Sequence, residues 1–202
     1  KEHPHYNSPL GESPAGKLRG RGISMGFCRN NTGMACVVAN VLPDGKVSLL
    51  EGSVDIGGSR TAIAQQFAEV IGIPVTEVHP HIGDTDTIGY TSVTGGSGVA
   101  FKSGWAAYTA ALDVKHQMIE RAALLWDCPT GQIEFENGHV FHRSDPELRI
   151  SFKELAGRMP ETGGPVVGRA NMNPGGSGGS YSANIIDVEV DTDTGKIDIL
   201  KV

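Results

Sequence analysis

Polar or small residues alternate with apolar ones over residues 22–27, and further β-patterned runs cover residues 34–42 and 46–51. Such runs predict half-buried strands. Pro43-Asp44-Gly45 joins the last two, with Pro presetting φ and Gly permitting a positive φ, so an antiparallel hairpin or meander is expected. The period then changes. Ile63, Phe67, Val70 and Ile71 recur at helical spacing over residues 59–71, with Gly72 as the closing residue and Pro74 beyond it. Residues 75–82 read as a strand, followed by a polar turn at 83–87. A long helix is expected over 103–127, with Trp105, Tyr108, Leu112, Ile119, Ala122 and Trp126 on one stripe. Asn137-Gly138 predicts a hairpin between 133–135 and 139–141. Ser151 with Glu154 predicts a capping box on a short helix over 151–158. Residues 163–179 read as turn-rich. A last hairpin runs from 182–191 through Asp193-Thr194-Gly195-Lys196 to 197–202. It ends on an apolar strand without a polar tail, so the chain is expected to continue or to have been processed at Val202. Strands, hairpins and two main helices mix without regular βαβ alternation, which makes the fold class α+β. Residues 1–18 hold Pro4, Pro9, Pro14, Gly11 and Gly16 and are expected to form an extended lead-in, with the domain proper spanning 19–202.

Composition narrows the partners. Hydrophobic residues make up 39% of 202, enough for a real core. A net charge of −6 leaves no basic footprint for nucleic acid. No apolar run reaches the roughly 18 residues that span a membrane. Cys28, Cys36 and Cys128 form no CxxC pair, so three reduced thiols in a cytoplasmic protein are expected, with Cys28 and Cys36 buried in their apolar runs. Glycine is the outlier at 28 residues, clustered beside regular elements rather than spread as a linker.

Two of those clusters open helices. Gly57-Gly58-Ser59-Arg60 precedes the first helix, and Thr94-Gly95-Gly96-Ser97-Gly98 precedes the second. Glycines expose backbone N–H groups, and a helix N-terminus adds unpaired donors with partial positive charge, a combination that takes phosphate. Arg60 adds a cation. A short glycine motif alone is more often a tight turn, but two in one domain point to a ligand with more than one anionic or polar part. Neither matches the dinucleotide-binding or P-loop fingerprints. Asp84-Thr85-Asp86 reads as a solvated turn rather than a metal site, and His79 and His81 lack further ligands. No metal site and no nucleophile arrangement is assigned.

The order of these motifs resembles the molybdenum hydroxylases, the family of xanthine dehydrogenases, aldehyde oxidoreductases and aerobic carbon monoxide dehydrogenases. The resemblance is to the molybdopterin-binding part of their large subunit. It is carried by Arg19-Gly20-Arg21-Gly22-Ile23, by Gly52 to Thr61 with Glu69 to Pro74, by Gly83-Asp84-Thr85-Asp86 with Thr94-Gly95-Gly96-Ser97, and by Asp187 to Asp191 with Thr194-Gly195-Lys196. It implies that Gly57, Gly58, Ser59, Arg60, Thr94, Gly95, Gly96, Ser97 and Gly98 face a molybdopterin carrying molybdenum, its phosphate or an attached cytosine nucleotide. It implies oxidation of a small-molecule substrate with water as the oxygen source. Electrons would pass to iron–sulfur clusters, with these clusters and FAD on partner subunits or domains. The family's catalytic glutamate is expected beyond Val202, so no catalytic residue is assigned and this chain alone is expected to be inactive. Many members carry Gly-Gln-Gly where this chain has Gly57-Gly58-Ser59. The competing readings are a cofactor-free assembly domain of the same fold and a module for another nucleotide.

Overall fold

The alternation at the start of the chain forms β1 (Lys17–Arg29), but its partner is not the next strand. It pairs antiparallel with β9 (Gly179–Asp191) over its whole length, Lys17 opposite Asp191 and Arg29 opposite Gly179. β10 (Ile197–Lys201) pairs with β9 through the predicted last hairpin. The expected meander of the first three runs is therefore corrected: period-two patterning marks a strand without naming its partner. The computed structural model describes residues 3–176 and 178–202, and the chain divides into two compact units.

The first unit comprises residues 1–29 and 179–202. Its three strands lie in the order β1-β9-β10. Within the stretch expected to be extended, residues 4–7 form a single-turn helix, α1 (Pro4–Asn7), with Pro at its first position, where a missing N–H is harmless. α1 buries His5, whose Nε2 lies 3.0 Å from Asp187 Oδ2. Arg21 grips the same carboxylate from β1, with Nε to Oδ1 at 2.6 Å and a terminal nitrogen to Oδ2 at 2.8 Å. One step along the ladder, Lys17 and Arg19 share Glu189.

The second unit comprises residues 30–178. Its main sheet has the order β4 (Val78–Ile82), β3 (Val47–Glu51), β2 (Ala35–Val41) and β8 (Val167–Met172). β2 (Ala35–Val41) and β3 (Val47–Glu51) form the predicted hairpin around Pro43-Asp44-Gly45. From β3 the chain enters α2 (Ser59–Ile71) and returns as β4 (Val78–Ile82), parallel to β3. This is one βαβ unit inside an α+β fold. Residues 75–77, read as strand, form a 3-10 turn after Pro74. α2 closes on Gly72 in the left-handed conformation, as read from the sequence. A short helix α3 (Thr85–Ile88) replaces the expected polar turn, capped by Asp84. α4 (Val99–Trp126) starts four residues earlier than its periodicity suggested. It lies over β2 and β8, while α2 lies over β4 and against α4. β8 (Val167–Met172) arises from the stretch read as turn-rich and adds antiparallel to β2. The third sheet holds β5 (Ile133–Glu136), β6 (His139–His142) and β7 (Arg149–Ser151). Its hairpin turns on Asn137 and Gly138, both at positive φ. α5 (Phe152–Gly157) follows, with the Ser151–Glu154 capping box formed in both directions.

The buried stripe of α4 runs through Ala106, Ala107, Ala110, Ala111, Val114, Met118 and Ala122; of the expected stripe Ala122 is buried and Ile119 and Trp126 pack partly against the core. Trp105, Tyr108 and Leu112 are between 43% and 49% exposed, which corrects that expectation. Small side chains let a helix lie close to sheet and neighbouring helix, and hydrophobicity ranking favours the large residues that close packing excludes. Cys36 is buried as expected, whereas Cys28 is exposed on the β1 ribbon.

Candidate functional site

The two glycine loops meet. They border one cleft of about 390 Å³. Gly57, Gly58 and Ser59 line it from the first loop, and Gly95, Ser97 and Gly98 from the second. Ile56, Ala62, Val99 and Ala100 give it apolar walls. The N-termini of α2 and α4 both open onto it, and neither helix has an acidic residue in its first turn. Each terminus leaves backbone donors and partial positive charge at the cleft. A larger cavity of about 710 Å³ lies where α4 ends, but Glu120, Arg121 and Asp127 give it mixed charge and neither glycine loop borders it.

The nine candidate residues play different parts. At Gly57, Gly58 and Gly95 an added Cβ would meet nothing within 4 Å, so these positions face open space. Gly96 and Gly98 instead serve the fold: a Cβ on Gly96 would overlap the Asn31 side chain, and one on Gly98 would come 2.5 Å from the Asn31 carbonyl oxygen. Asn31 N–H in turn donates to Gly96 O at 2.8 Å. Thr94 leads into the loop and does not line the cleft. Arg60 lies outside the lining, with its Nε bonded to Asp55 Oδ2 at 3.0 Å.

Asp55 was missed by the sequence reading, and it changes how the first loop works. Its Oδ1 accepts from Gly57 N–H at 3.0 Å, Ser59 N–H at 2.9 Å and the Ser59 hydroxyl at 3.0 Å. The Arg60 guanidinium beside it, and then the Gly57 amide, hold its carboxyl well below the usual range. Part of the α2 terminus is thus already served by a carboxylate of this chain. An Asp two residues before a glycine pair at a helix start was the available signal.

Behind the loops lie buried polar groups that carried no motif. Glu51 ends β3 fully buried; its Oε2 accepts from Ser53 N–H at 2.7 Å, while Oε1 has no partner among the described residues. Burial pushes its carboxyl up from the ordinary 4.5. The Ser53 and Ser103 hydroxyls bond at 2.7 Å, tying the stem of the first loop to α4. Lys102, 1% exposed, donates to Ser92 O at 2.6 Å and Val93 O at 2.7 Å at the stem of the second. Both loops are braced from behind by ionisable side chains.

Asp84 Oδ1 caps α3 through Asp86 and Thr87 N–H, and His79 and His81 are exposed on β4. Among the described residues no three metal-binding side chains cluster, and no helix is long and apolar enough to cross a membrane.

The molybdopterin cofactor-binding domain model matches residues 2–202. The chain belongs to that family, the molybdopterin-binding domains of molybdenum hydroxylases. It is 26% identical over 195 residues to the putative xanthine dehydrogenase molybdenum-binding subunit XdhA of Escherichia coli K12, covering 91% of this chain and 26% of that protein. It is 31% identical over 159 residues to the probable hypoxanthine oxidase XdhD of the same organism, covering 76% and 16%. The fold matches carbon monoxide dehydrogenase from Oligotropha carboxidovorans with a TM-score of 0.81 at 24% identity, over 92% of this chain and 25% of that one. Quinoline 2-oxidoreductase from Pseudomonas putida 86 matches with a TM-score of 0.76 at 22% identity, over 91% and 26%. The chain spans about a quarter of the length of most of these relatives.

Proposed function

We propose that the cleft between the two glycine loops holds the pterin end or the nucleotide end of a molybdopterin, in its cytosine dinucleotide form. The observation that carries this reading is the convergence of two glycine-opened helix N-termini, remote in sequence, on one cleft with apolar walls. The cleft fits such a group in two respects: Gly57, Gly58 and Gly95 leave room where any side chain would intrude, and neither helix carries an acidic residue in its first turn, with Asp55 reaching only the α2 end. The residues that would hold the cofactor are Gly58, Gly95 and Ser97, through backbone donors and the Ser97 hydroxyl, while the Gly98 N–H is taken by Gly95 O at 3.2 Å. Arg60 would add its terminal nitrogens, since Asp55 engages only its Nε. When bound, the cofactor supplies molybdenum for a two-electron oxidation of a small substrate, with oxygen from water and electrons passed to iron–sulfur and FAD subunits. This chain's own part is to bind and orient; the substrate-side residues belong to the remainder of the large subunit. Three free thiols fit assembly in the reducing cytoplasm.

Asp55 favours one rival, a fold kept for assembly without cofactor, because it already occupies two amides of the first loop. Metal and pterin content of the purified full-length complex separates the two. Near-stoichiometric molybdenum, with pterin fluorescence after oxidation, is expected of the wild type. Gly95→Glu is unstrained in backbone, enters open space, and sets a carboxylate against the bound anion. Its cofactor content should fall by about tenfold or more while circular dichroism is unchanged. A well-folded wild-type complex without molybdenum would sink the reading, and full cofactor content in Gly95→Glu would sink the assignment of the loops.

A further inference from the structure

Lys102 is an expensive residue in its position. It lies in the first turn of α4, its N–H donating to Gly98 O at 2.8 Å, where the helix dipole disfavours a cation. It is 1% exposed, and a buried ammonium without a counter-charge is strongly disfavoured. No acidic side chain pairs with it among the described residues: its Nζ meets the carbonyl oxygens of Ser92 and Val93. Neutral packing would serve the core better. Those carbonyls belong to the two residues that precede Thr94-Gly95, so the charge sits directly behind the second glycine loop. There its field adds to that of the α4 terminus.

We propose that Lys102 is a positioning residue for the anion bound at the second glycine loop, fixing the loop through Ser92 and Val93 and supplying a buried positive charge that the anion neutralises. The ligand group is a phosphate or pyrophosphate, because both fields favour a compact, multiply charged anion. Burial alone lowers the lysine's affinity for its proton; no charged neighbour shifts it. The bound anion is then the missing partner.

This rests on the cofactor reading above, and the test keeps the two apart. The full-length large subunit in its complex, produced in a host unable to make molybdopterin, is titrated with inorganic pyrophosphate by calorimetry. Wild type binds, and Gly95→Glu abolishes binding. Lys102→Met, of similar length and no charge, weakens binding by about tenfold or more, whereas Lys102→Arg stays within about threefold. As pH rises, the affinity of Lys102→Arg relative to wild type climbs, because the lysine gives up its proton and an arginine does not. A merely structural brace would not produce that divergence. Wild-type affinity in Lys102→Met, with Gly95→Glu still inactive, overturns the role of Lys102 and leaves the cleft standing. No pyrophosphate binding by wild type overturns the proposal, while molybdenum in the native complex would still support the cofactor reading. Should Lys102→Met fail to fold, Lys102→Gln takes its place in the titration, and wild-type pyrophosphate affinity in Lys102→Gln overturns the proposal.

Discussion

Glu51 sits fully buried six residues before Gly57 of the first glycine loop, with one carboxyl oxygen on Ser53 N–H and the other without a partner among the described residues. Burial favours its neutral form, so the folded state holds a proton that the unfolded state releases above the ordinary value of 4.5. Stability linked to Glu51 is therefore complete below about pH 4.5 and is lost as pH rises toward the folded value. Within that window the loss runs at about 1.4 kcal/mol per pH unit. Glu51→Gln keeps the shape and an acceptor for Ser53 without the titration. Denaturation midpoints of the two proteins should lie close together near pH 4.5 and separate in favour of the glutamine variant as pH rises. Curves that stay parallel to pH 8 would show that Glu51 is ionised in the folded state. The site residues at this scale were unevenly legible. Glycines announce themselves because few other reasons collect them at helix starts. Glu51, Asp55 and Lys102 do not, since nothing in a lone charged residue says whether its surroundings will be water or core. Lys102 falls in register with Val99 and Ala106 on the buried face of α4, but the stripe from Ser103 onward gives no sign that the helix begins before it.

Elements with a local cause were readable. The helix over 59–71, the Asn137-Gly138 hairpin and the Ser151–Glu154 capping box each follow from residues within a few positions. Elements with a remote cause were not. β8 lies among glycines and prolines and is a strand only because β2 and α4 receive it. Gly168 shows how close that contact is. A Cβ there would overlap the Ala110 carbonyl and come 2.5 Å from Val114 Cγ2, so α4 lies on bare backbone at this point. Gly168→Ala should destabilise the fold by about 1–3 kcal/mol through this overlap, measured by denaturant unfolding. Gly175→Ala, where a Cβ meets nothing within 4 Å, is the control and should be near neutral. Equal effects of the two would mean that α4 and β8 are less tightly packed than described. The same closeness explains why the buried stripe of α4 is mostly alanine while Trp105 and Tyr108 lie outside.

At the scale of the whole chain, strand pairing joins residues that lie far apart in sequence: β1 and β9 belong to opposite ends of it. Alternation in both stretches was visible beforehand, but their pairing was not, because period two fixes a face and leaves the partner open. Side-chain charge supplies the missing register. Arg21 lies opposite Asp187, and Arg19 opposite Glu189, and a slip by one residue would part both pairs. Asp187 is the centre of this ladder: bidentate Arg21, and then His5, hold its carboxyl well below the ordinary 3.8. A depressed carboxyl contributes stability that is complete above its ordinary value and is lost as pH falls through the folded one. Arg21→Ala removes the main partner and leaves Asp187, 7% exposed, with His5 alone. Its Tm at pH 7 should fall below that of wild type, and the gap should narrow as the pH drops beneath about 3.8, where the wild type gives up the same contribution. Lys17→Ala removes one of two partners of Glu189 from a more exposed position and should cost less. The order of the two variants is the decisive measurement. If Lys17→Ala is the more damaging, the register of β1 on β9 is held by something other than the Arg21–Asp187 pair.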